Sequence, residues 1–212
     1  MLSMERRLWS QGFHLLAGID EVGRGCLAGP VVASAVVFPI GVHIEGVKDS
    51  KQLSAGQRDK LNSIIIDRSI CVAFGLVEAH IVDEINIKQA ARLAMKRAVT
   101  GLRFCPDYLL VDAENVDLPL PQESIIKGDC KSHSIAAASI AAKVYRDRLC
   151  KEWDSSYPEY KFGSNKGYYT REHREALEKH GPCPLHRKTF IQGIVKDQSF
   201  EQIELFSLRG SG

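Results

Sequence analysis

The chain has 212 residues, of which 44% are apolar, a size and composition typical of one globular domain with a substantial core. No apolar stretch approaches the roughly 20 residues that a membrane-spanning helix needs, so membrane insertion is not expected. The formal net charge is only +2, yet the region from Lys127 to Lys196 holds 14 Lys and Arg residues against 8 Asp and Glu residues. This local excess favours a polyanionic ligand, although a solvated helical face would carry a similar charge.

The cysteine pattern bears on the cellular compartment. Six cysteines are scattered along the chain without a C-x-x-C pair, and the first residues lack the charged-then-apolar pattern of a secretion signal. Both features favour a reducing, cytoplasmic location. A monomer is the default expectation for a domain of this size.

Runs of β-branched residues and apolar side chains at helical spacing predict an alternation of strands and helices. In chain order, the predicted elements are strands at 15–22 and 30–38, a helix opening at Ser54, a strand at 70–77, a helix at 86–102, strands at 108–111 and 124–127, a helix at 132–153, a loop at 157–167 and a short helix at 171–180. The helix at Ser54 is predicted from a capping-box spacing with Gln57. Residues beyond Phe206 are expected to be poorly ordered.

This order of elements indicates an α/β protein with a mixed central β-sheet flanked by helices. The composition turns to Pro, Gly, Ser and aromatic residues after residue 156. A change of this kind marks a loop that follows the long helix.

Two acidic residues, Asp20 and Glu21, stand side by side at the end of the apolar run HLLAGI. Successive side chains of a strand point to opposite faces, so both carboxylates cannot share one solvent-facing surface. Burial of an unpaired carboxylate is costly, and a cation is its natural partner. The segment DEVGRG is therefore a candidate metal site.

Two further acids occupy positions that suit a metal ligand. Asp112 directly follows the apolar strand predicted at 108–111, which would deliver it to the sheet edge where open α/β sheets bind ligands. Asp129 directly precedes the long helix. An Asx turn at Asp112 and a helix-start role for Asp129 are the simple structural alternatives. Four acids without a Cys or His ligand pattern would suit a hard cation, Mg²⁺ or Mn²⁺.

Hard-cation sites commonly support phosphoryl transfer, in which two ions activate a water and stabilise the leaving oxygen. The glycines of Gly23-Arg24-Gly25 would let backbone amides approach a substrate closely. A G-x-G tripeptide alone is weak support, since it is more often a simple turn and lacks a dinucleotide or P-loop context.

The chain resembles the type 2 ribonucleases H, and most closely their bacterial ribonuclease HII group. The resemblance covers most of the chain, with many separate motifs in the family's order. The matching segments are GIDEVGRG at 18–25, AGP at 28–30, KDSKQLS at 48–54, LVD at 110–112, KGD at 127–129, IAAASI at 135–140, AKV at 142–144, RD at 146–147, KGY at 166–168, Thr170, His173 and HRKTF at 186–190.

This resemblance implies an RNase H-like fold, with one type 2 ribonuclease H domain at about residues 14–205. Within it, the resemblance implies a catalytic core in residues 1–156 and a small C-terminal helical, substrate-binding part in residues 157–212, packed on that core. It implies cutting of the RNA strand of RNA–DNA hybrids, and cutting at single ribonucleotides embedded in duplex DNA. Carried over by position, the catalytic carboxylates are those of Asp20, Glu21, Asp112 and Asp129, which would bind two divalent ions, Mg²⁺ or Mn²⁺.

The resemblance also implies substrate contacts. Gly23, Arg24 and Gly25 align with a backbone platform that senses the ribose 2′-hydroxyl. Tyr168 aligns with a tyrosine that packs on the deoxyribose after the junction. Lys51 and Lys166 are candidate phosphate contacts, with surface solubility as the alternative.

Three residues near the Tyr168 loop depart from the usual family pattern: Lys161, Asn165 and Tyr169. Ala113 stands where glycine is common. The alternatives are a type 3 ribonuclease H, against which Arg24 and the short segment before Asp20 argue, and a non-catalytic hybrid-binding protein, against which the four acids argue. Contact of the terminal segment with a sliding clamp is a further open question.

Overall fold

A five-stranded mixed sheet organises the protein, and the computed structural model describes residues 1–195 of it. The strands are β1 (Leu16–Val22), β2 (Val31–Val37), β3 (Cys71–Val77), β4 (Tyr108–Asp112) and β5 (Gln122–Ile125), in the order β3-β2-β1-β4-β5. Strands β1, β2 and β3 are antiparallel neighbours, whereas β4 pairs in parallel with both β1 and β5. The predicted mixed α/β sheet is confirmed.

Helices cover both faces of this sheet. They are α1 (Ser3–Ser10), α2 (Ala55–Arg68), α3 (Ala79–Thr100), α4 (His133–Ser156), α5 (Phe162–Asn165), α6 (Arg171–His180) and α7 (Lys188–Ile191). Short 3₁₀ turns lie at Ser50–Gln52, Gly128–Cys130 and Pro158–Tyr160. In the described part of the chain, no helix combines the length and apolarity that a bilayer crossing needs.

The two faces of β1 and β2 are buried by two alanine-rich helices. Every residue of β2 is buried, as expected for a strand covered on both sides. Helix α3 packs on one face and α4 on the other. A β-carbon at Gly18 would lie 2.1 Å from the carbonyl carbon of Ser134, so only glycine lets α4 approach β1 this closely.

The predicted helix starts are only partly right. Ser54 and Gln57 form the expected capping box at the start of α2. The helix predicted at 86–102 begins seven residues earlier, at Ala79, and Asn86 interrupts it with φ 67° and ψ 163°. The Asn86 side chain accepts hydrogen bonds from the backbone amides of Lys88 and Gln89. Asn86 therefore caps the second part of the helix, which explains why the sequence predicted a helix start there.

Other boundaries differ for local reasons. The strand predicted at 124–127 lies at Gln122–Ile125, because Lys127 is left-handed and cannot continue it. The loop predicted at 157–167 contains the turn Pro158–Tyr160 and α5. Helices α1 and α7 were not predicted, whereas α6 has the predicted bounds.

The described C-terminal elements pack around a separate apolar cluster that includes Tyr160, Phe162, Leu177 and Ile191 and touches the end of α4 through Cys150. The division into a core at 1–156 and a C-terminal part at 157–212 stays a prediction. The expectations for residues beyond Phe206 and for a clamp-binding terminal segment lie outside the described residues.

Candidate active site

The four predicted acids converge at one corner of the sheet, which we call the acidic corner: Asp20, Glu21, Asp112 and Asp129. The parallel register of β1 and β4 pairs Ile19 with Val111, so Asp20 and Asp112 follow side by side at the carboxyl ends of the two strands. The turn Gly128–Cys130 delivers Asp129, and the Gly128 amide donates to Asp112 Oδ1 at 2.7 Å. All four acids line one cavity of about 290 Å³.

The simple alternatives for two of these acids are not supported by their contacts. The hydroxyl of Ser132, not the Asp129 carboxylate, caps α4 by accepting from the Ile135 amide at 3.2 Å. The Asp112 carboxylate accepts from an amide 16 residues away instead of closing a local Asx turn.

Burial dominates the electrostatics of the acidic corner. It holds the pKa of Asp20 well above its usual 3.8, and the neighbouring charges of Glu21 and Asp112 raise it further. A hydrogen bond from the Ser139 hydroxyl counteracts this only in part. The pKa of Asp112 is also raised by burial, despite the Gly128 amide that favours its charged form.

Glu21 is the acid of this corner with an unsatisfied carboxylate oxygen. Burial raises its pKa, while the nearby guanidinium of Arg24 opposes that shift. Its Oε1 accepts from Arg24 Nη1 at 3.1 Å, but its buried Oε2 has no hydrogen-bond partner. A buried carboxylate oxygen without a partner is costly. An all-oxygen donor set with such an atom fits a hard divalent cation such as Mg²⁺ or Mn²⁺.

Several residues that the sequence reasoning did not select also belong to this cavity. Ser50, Arg58, Ser139 and Lys143 line it, and the Ser50 and Ser139 hydroxyls are 2.9 Å apart. Both serines lie within motifs of the resemblance, KDSKQLS and IAAASI, which was the available signal.

One further residue approaches Asp129 from outside the predicted set. The potential ligand atoms of Asp49, Asp129 and Cys130 all lie within 4.8 Å of one another. Asp49 belongs to the KDS motif of the resemblance, but nothing in its own sequence position pointed to Asp129.

A buried arginine, Arg187, supports the backbone of residues 23–25, which we call the glycine segment and which lies beside the acidic corner. Arg187 donates to the carbonyl oxygens of Gly23 at 2.7 Å and Arg24 at 2.9 Å, and also to that of Gly29. In a planar trans peptide the N–H points opposite to the C=O. The amides of Arg24 and Gly25 therefore point away from Arg187, on the side that does not face the core.

A second buried arginine explains why Gly23 must be glycine. Its φ is +92°, and a β-carbon there would lie 2.4 Å from Arg146 Nε. Arg146 itself donates to the carbonyl oxygens of Pro30, Ala28 and Lys166. Both buried arginines therefore shape the glycine segment.

Of the remaining predicted substrate residues, Tyr168 and Lys51 line the cavity, whereas Lys166 does not. Tyr168 lines the cavity and is 40% exposed, and His173 Nδ1 lies 2.9 Å from its carbonyl oxygen. Lys51 lines the same cavity, and its positive charge partly opposes the burial that raises the pKa of Asp112. The Lys166 ammonium instead donates to the Gly163 carbonyl and borders a different pocket, so the structure does not bring it to the cavity.

Comparison with known proteins bears on this geometry. The family model described as Ribonuclease HII matches residues 17–193. The chain belongs to the ribonuclease HII family. A ribonuclease HII from Alkaliphilus metalliredigens is 52% identical over 201 residues, covering 92% of this chain and 98% of the relative. As a member of this family, the protein is an enzyme of the ribonuclease H class, and the type 3 alternative is not favoured.

Solved structures of related proteins confirm the RNase H-like fold. The ribonuclease H2 from Pyrococcus horikoshii has a TM-score of 0.72 and 31% identity, covering 91% of this chain and 99% of that one. A ribonuclease HII from Archaeoglobus fulgidus, solved in complex with PCNA, has a TM-score of 0.69 and 27% identity, covering 86% and 97%.

Proposed function

We propose that the protein hydrolyses the RNA strand of RNA–DNA hybrids and cuts on the 5′ side of single ribonucleotides embedded in duplex DNA. Cutting takes place at the acidic corner with two divalent ions, Mg²⁺ or Mn²⁺, and leaves 5′-phosphate and 3′-hydroxyl ends. The observation that carries this proposal is the convergence of four buried or half-buried carboxylates, one with a partnerless oxygen, beside a glycine segment with outward-pointing amides.

The carboxylates of Asp20, Glu21, Asp112 and Asp129 would hold the ions. When bound, such ions supply an activated water and stabilise the charge on the leaving oxygen. The protein's own contribution is to fix the carboxylates before substrate arrives. The Glu21 amide donates to Asp20 Oδ1 at 2.8 Å, and the Gly128 amide donates to Asp112 Oδ1.

The glycine segment would provide the discrimination between RNA and DNA. A ribose 2′-hydroxyl both donates and accepts hydrogen bonds, and it is the group that distinguishes the two sugars. Gly23 and Gly25 have no side chain to block it, and Arg187 orients the amides of Arg24 and Gly25.

The rim of the cavity suits a nucleic-acid duplex. The exposed ring of Tyr168 would pack on a sugar, and Lys51, Arg58 and Lys143 bring positive charge to the same cavity. Such cations position phosphates without reading sequence. For Lys166, phosphate contact stays a prediction that would require its ammonium to leave the Gly163 carbonyl.

In the cell, this activity would serve ribonucleotide excision and RNA primer removal. All six cysteines are free, in keeping with the proposed cytoplasmic location. We propose action as a monomer. A sliding clamp is a partner to test, because a related archaeal protein was solved in complex with PCNA.

The deciding experiment is incubation of a duplex bearing one ribonucleotide, with and without Mg²⁺. We expect one nick on the 5′ side of the ribonucleotide, only with the metal. The same duplex without the ribonucleotide is the control and should stay intact. Binding without nicking under both conditions would instead support the non-catalytic alternative.

A further inference from the structure

We propose that Glu114 is a positioning residue for the acidic corner: it draws the guanidinium of Arg24 away from Glu21 and so keeps Glu21 open to a divalent ion. This inference rests on the proposed function for its purpose. Glu114 lies two residues after Asp112, where the left-handed Ala113, with φ 50°, turns the chain at the end of β4. It is not among the acids that line the 290 Å³ cavity.

Glu114 and Glu21 share the same guanidinium. Arg24 Nη1 lies 3.1 Å from Glu21 Oε1 and 3.7 Å from Glu114 Oε1. Both carboxylates are nearly buried, whereas the Arg24 side chain is 41% exposed and can shift between them. The position of Arg24 is therefore a compromise between two acids.

The consequence is visible at Glu21. An arginine that is free to pair with one carboxylate commonly binds both of its oxygens in a forked arrangement. Arg24 instead contacts only Oε1, and Glu21 Oε2 has no hydrogen-bond partner. Competition from Glu114 gives a physical reason for the one-sided contact.

Glu114 is itself held in place by a second arginine, Arg92. Arg92 of α3 donates through Nε to Glu114 Oε2 at 2.9 Å. This contact uses one carboxylate oxygen and leaves Oε1 facing Arg24. The four side chains thus form a chain of alternating charge, Arg92, Glu114, Arg24 and Glu21, which ends at the acidic corner.

The test compares the Mn²⁺ affinity of the substrate-free Glu114→Gln protein with that of the wild type. Electron paramagnetic resonance measures the concentration of free Mn²⁺ in each titration. Gln keeps the shape but loses the charge, so Arg24 should pair more fully with Glu21. We expect Mn²⁺ affinity to fall about three- to tenfold, the size of a partly buried charge effect. The control is Asp117→Asn, which removes an acid paired with Lys96 elsewhere on the same surface and should leave affinity unchanged.

A double-variant cycle separates positioning from a general field effect. In an Arg24→Gln background, adding Glu114→Gln should change Mn²⁺ affinity less than twofold, because the shared guanidinium is gone. Unchanged affinity in the single variant, or an equal loss with and without Arg24, would overturn the proposal. Neither result depends on which nucleic acid is cut, so failure of the proposed function would be recognised separately, in the cleavage assay.

Discussion

Two neighbouring regions of the protein bury charged side chains, and the partners of those charges differ. Below the glycine segment, Arg187 is fully buried and donates to three carbonyl oxygens. At the acidic corner, burial raises the pKa of both Asp20 and Glu21, and one buried oxygen of Glu21 has no hydrogen-bond partner. A satisfied buried charge supports structure, whereas an unsatisfied one is kept for a ligand.

The largest expected effect tests the ligand side of this comparison. Asp20→Asn should reduce cleavage of an RNA–DNA hybrid in Mg²⁺ on the order of 10³-fold, since metal-based charge stabilisation contributes several kcal/mol to the barrier. Circular dichroism should show a folded protein. Cleavage at the native rate would reject the role of the acidic corner.

The next largest effect tests the structural side. Arg187→Met should destabilise the protein by about 3 kcal/mol, because three buried carbonyl oxygens lose a charged donor. Urea denaturation measures the loss. Lys179→Met, at an exposed position near the end of α6, is the surface control and should change stability by less than about 0.5 kcal/mol. Equal stability of the two variants would show that the Arg187 contacts do not support the fold.

A third prediction has the opposite sign. In EDTA at neutral pH, Asp20→Asn should be more stable than the wild type by about 1 kcal/mol, because it removes a buried carboxylate that has no metal. Thermal denaturation measures this difference. Mg²⁺ should then stabilise the wild type and not the variant. A less stable variant in EDTA would mean that Asp20 contributes to folding.

The pH dependence of that difference follows from the raised pKa of Asp20. The folded protein binds this proton more tightly than the unfolded chain, so the wild type loses stability as the pH rises through the window between the two pKa values. The variant has no such group. The stability gap should therefore be widest at neutral pH and close as the pH falls towards 4. A gap that does not change with pH would indicate another cause.

The smallest effect concerns the turn that follows β4, beside the acidic corner. Ala113 has φ 50°, a conformation that costs a non-glycine residue energy. Ala113→Gly should raise stability by about 0.5 kcal/mol, since the relief of strain is partly offset by the greater freedom of the unfolded glycine chain. Ala73→Gly, in the middle of β3, is the matched control and should lower stability.

Sequence alone was enough to predict the mixed sheet and to select the four acids that converge at the acidic corner. Apolar runs that end in Asp20 and Asp112 predict strand ends, and parallel strands deliver their ends to one edge. Asp129 could be singled out because it precedes a helix, but its position beside Asp112 depends on the turn at Gly128. Lys166 shows the limit of a motif match, because the same residue type at the same position can face a neighbouring carbonyl.

Tertiary structure decided which buried charges are satisfied. Arg187 reaches the Gly23 carbonyl across 164 residues of chain, and Glu114 meets Arg24 across the gap between β4 and the glycine segment. No local periodicity encodes such contacts, because they depend on where the strands and helices finally pack. The sequence determined the elements and their chemistry, whereas packing determined that the carbonyl oxygens of the glycine segment are satisfied by Arg187 while Glu21 Oε2 at the acidic corner has no donor.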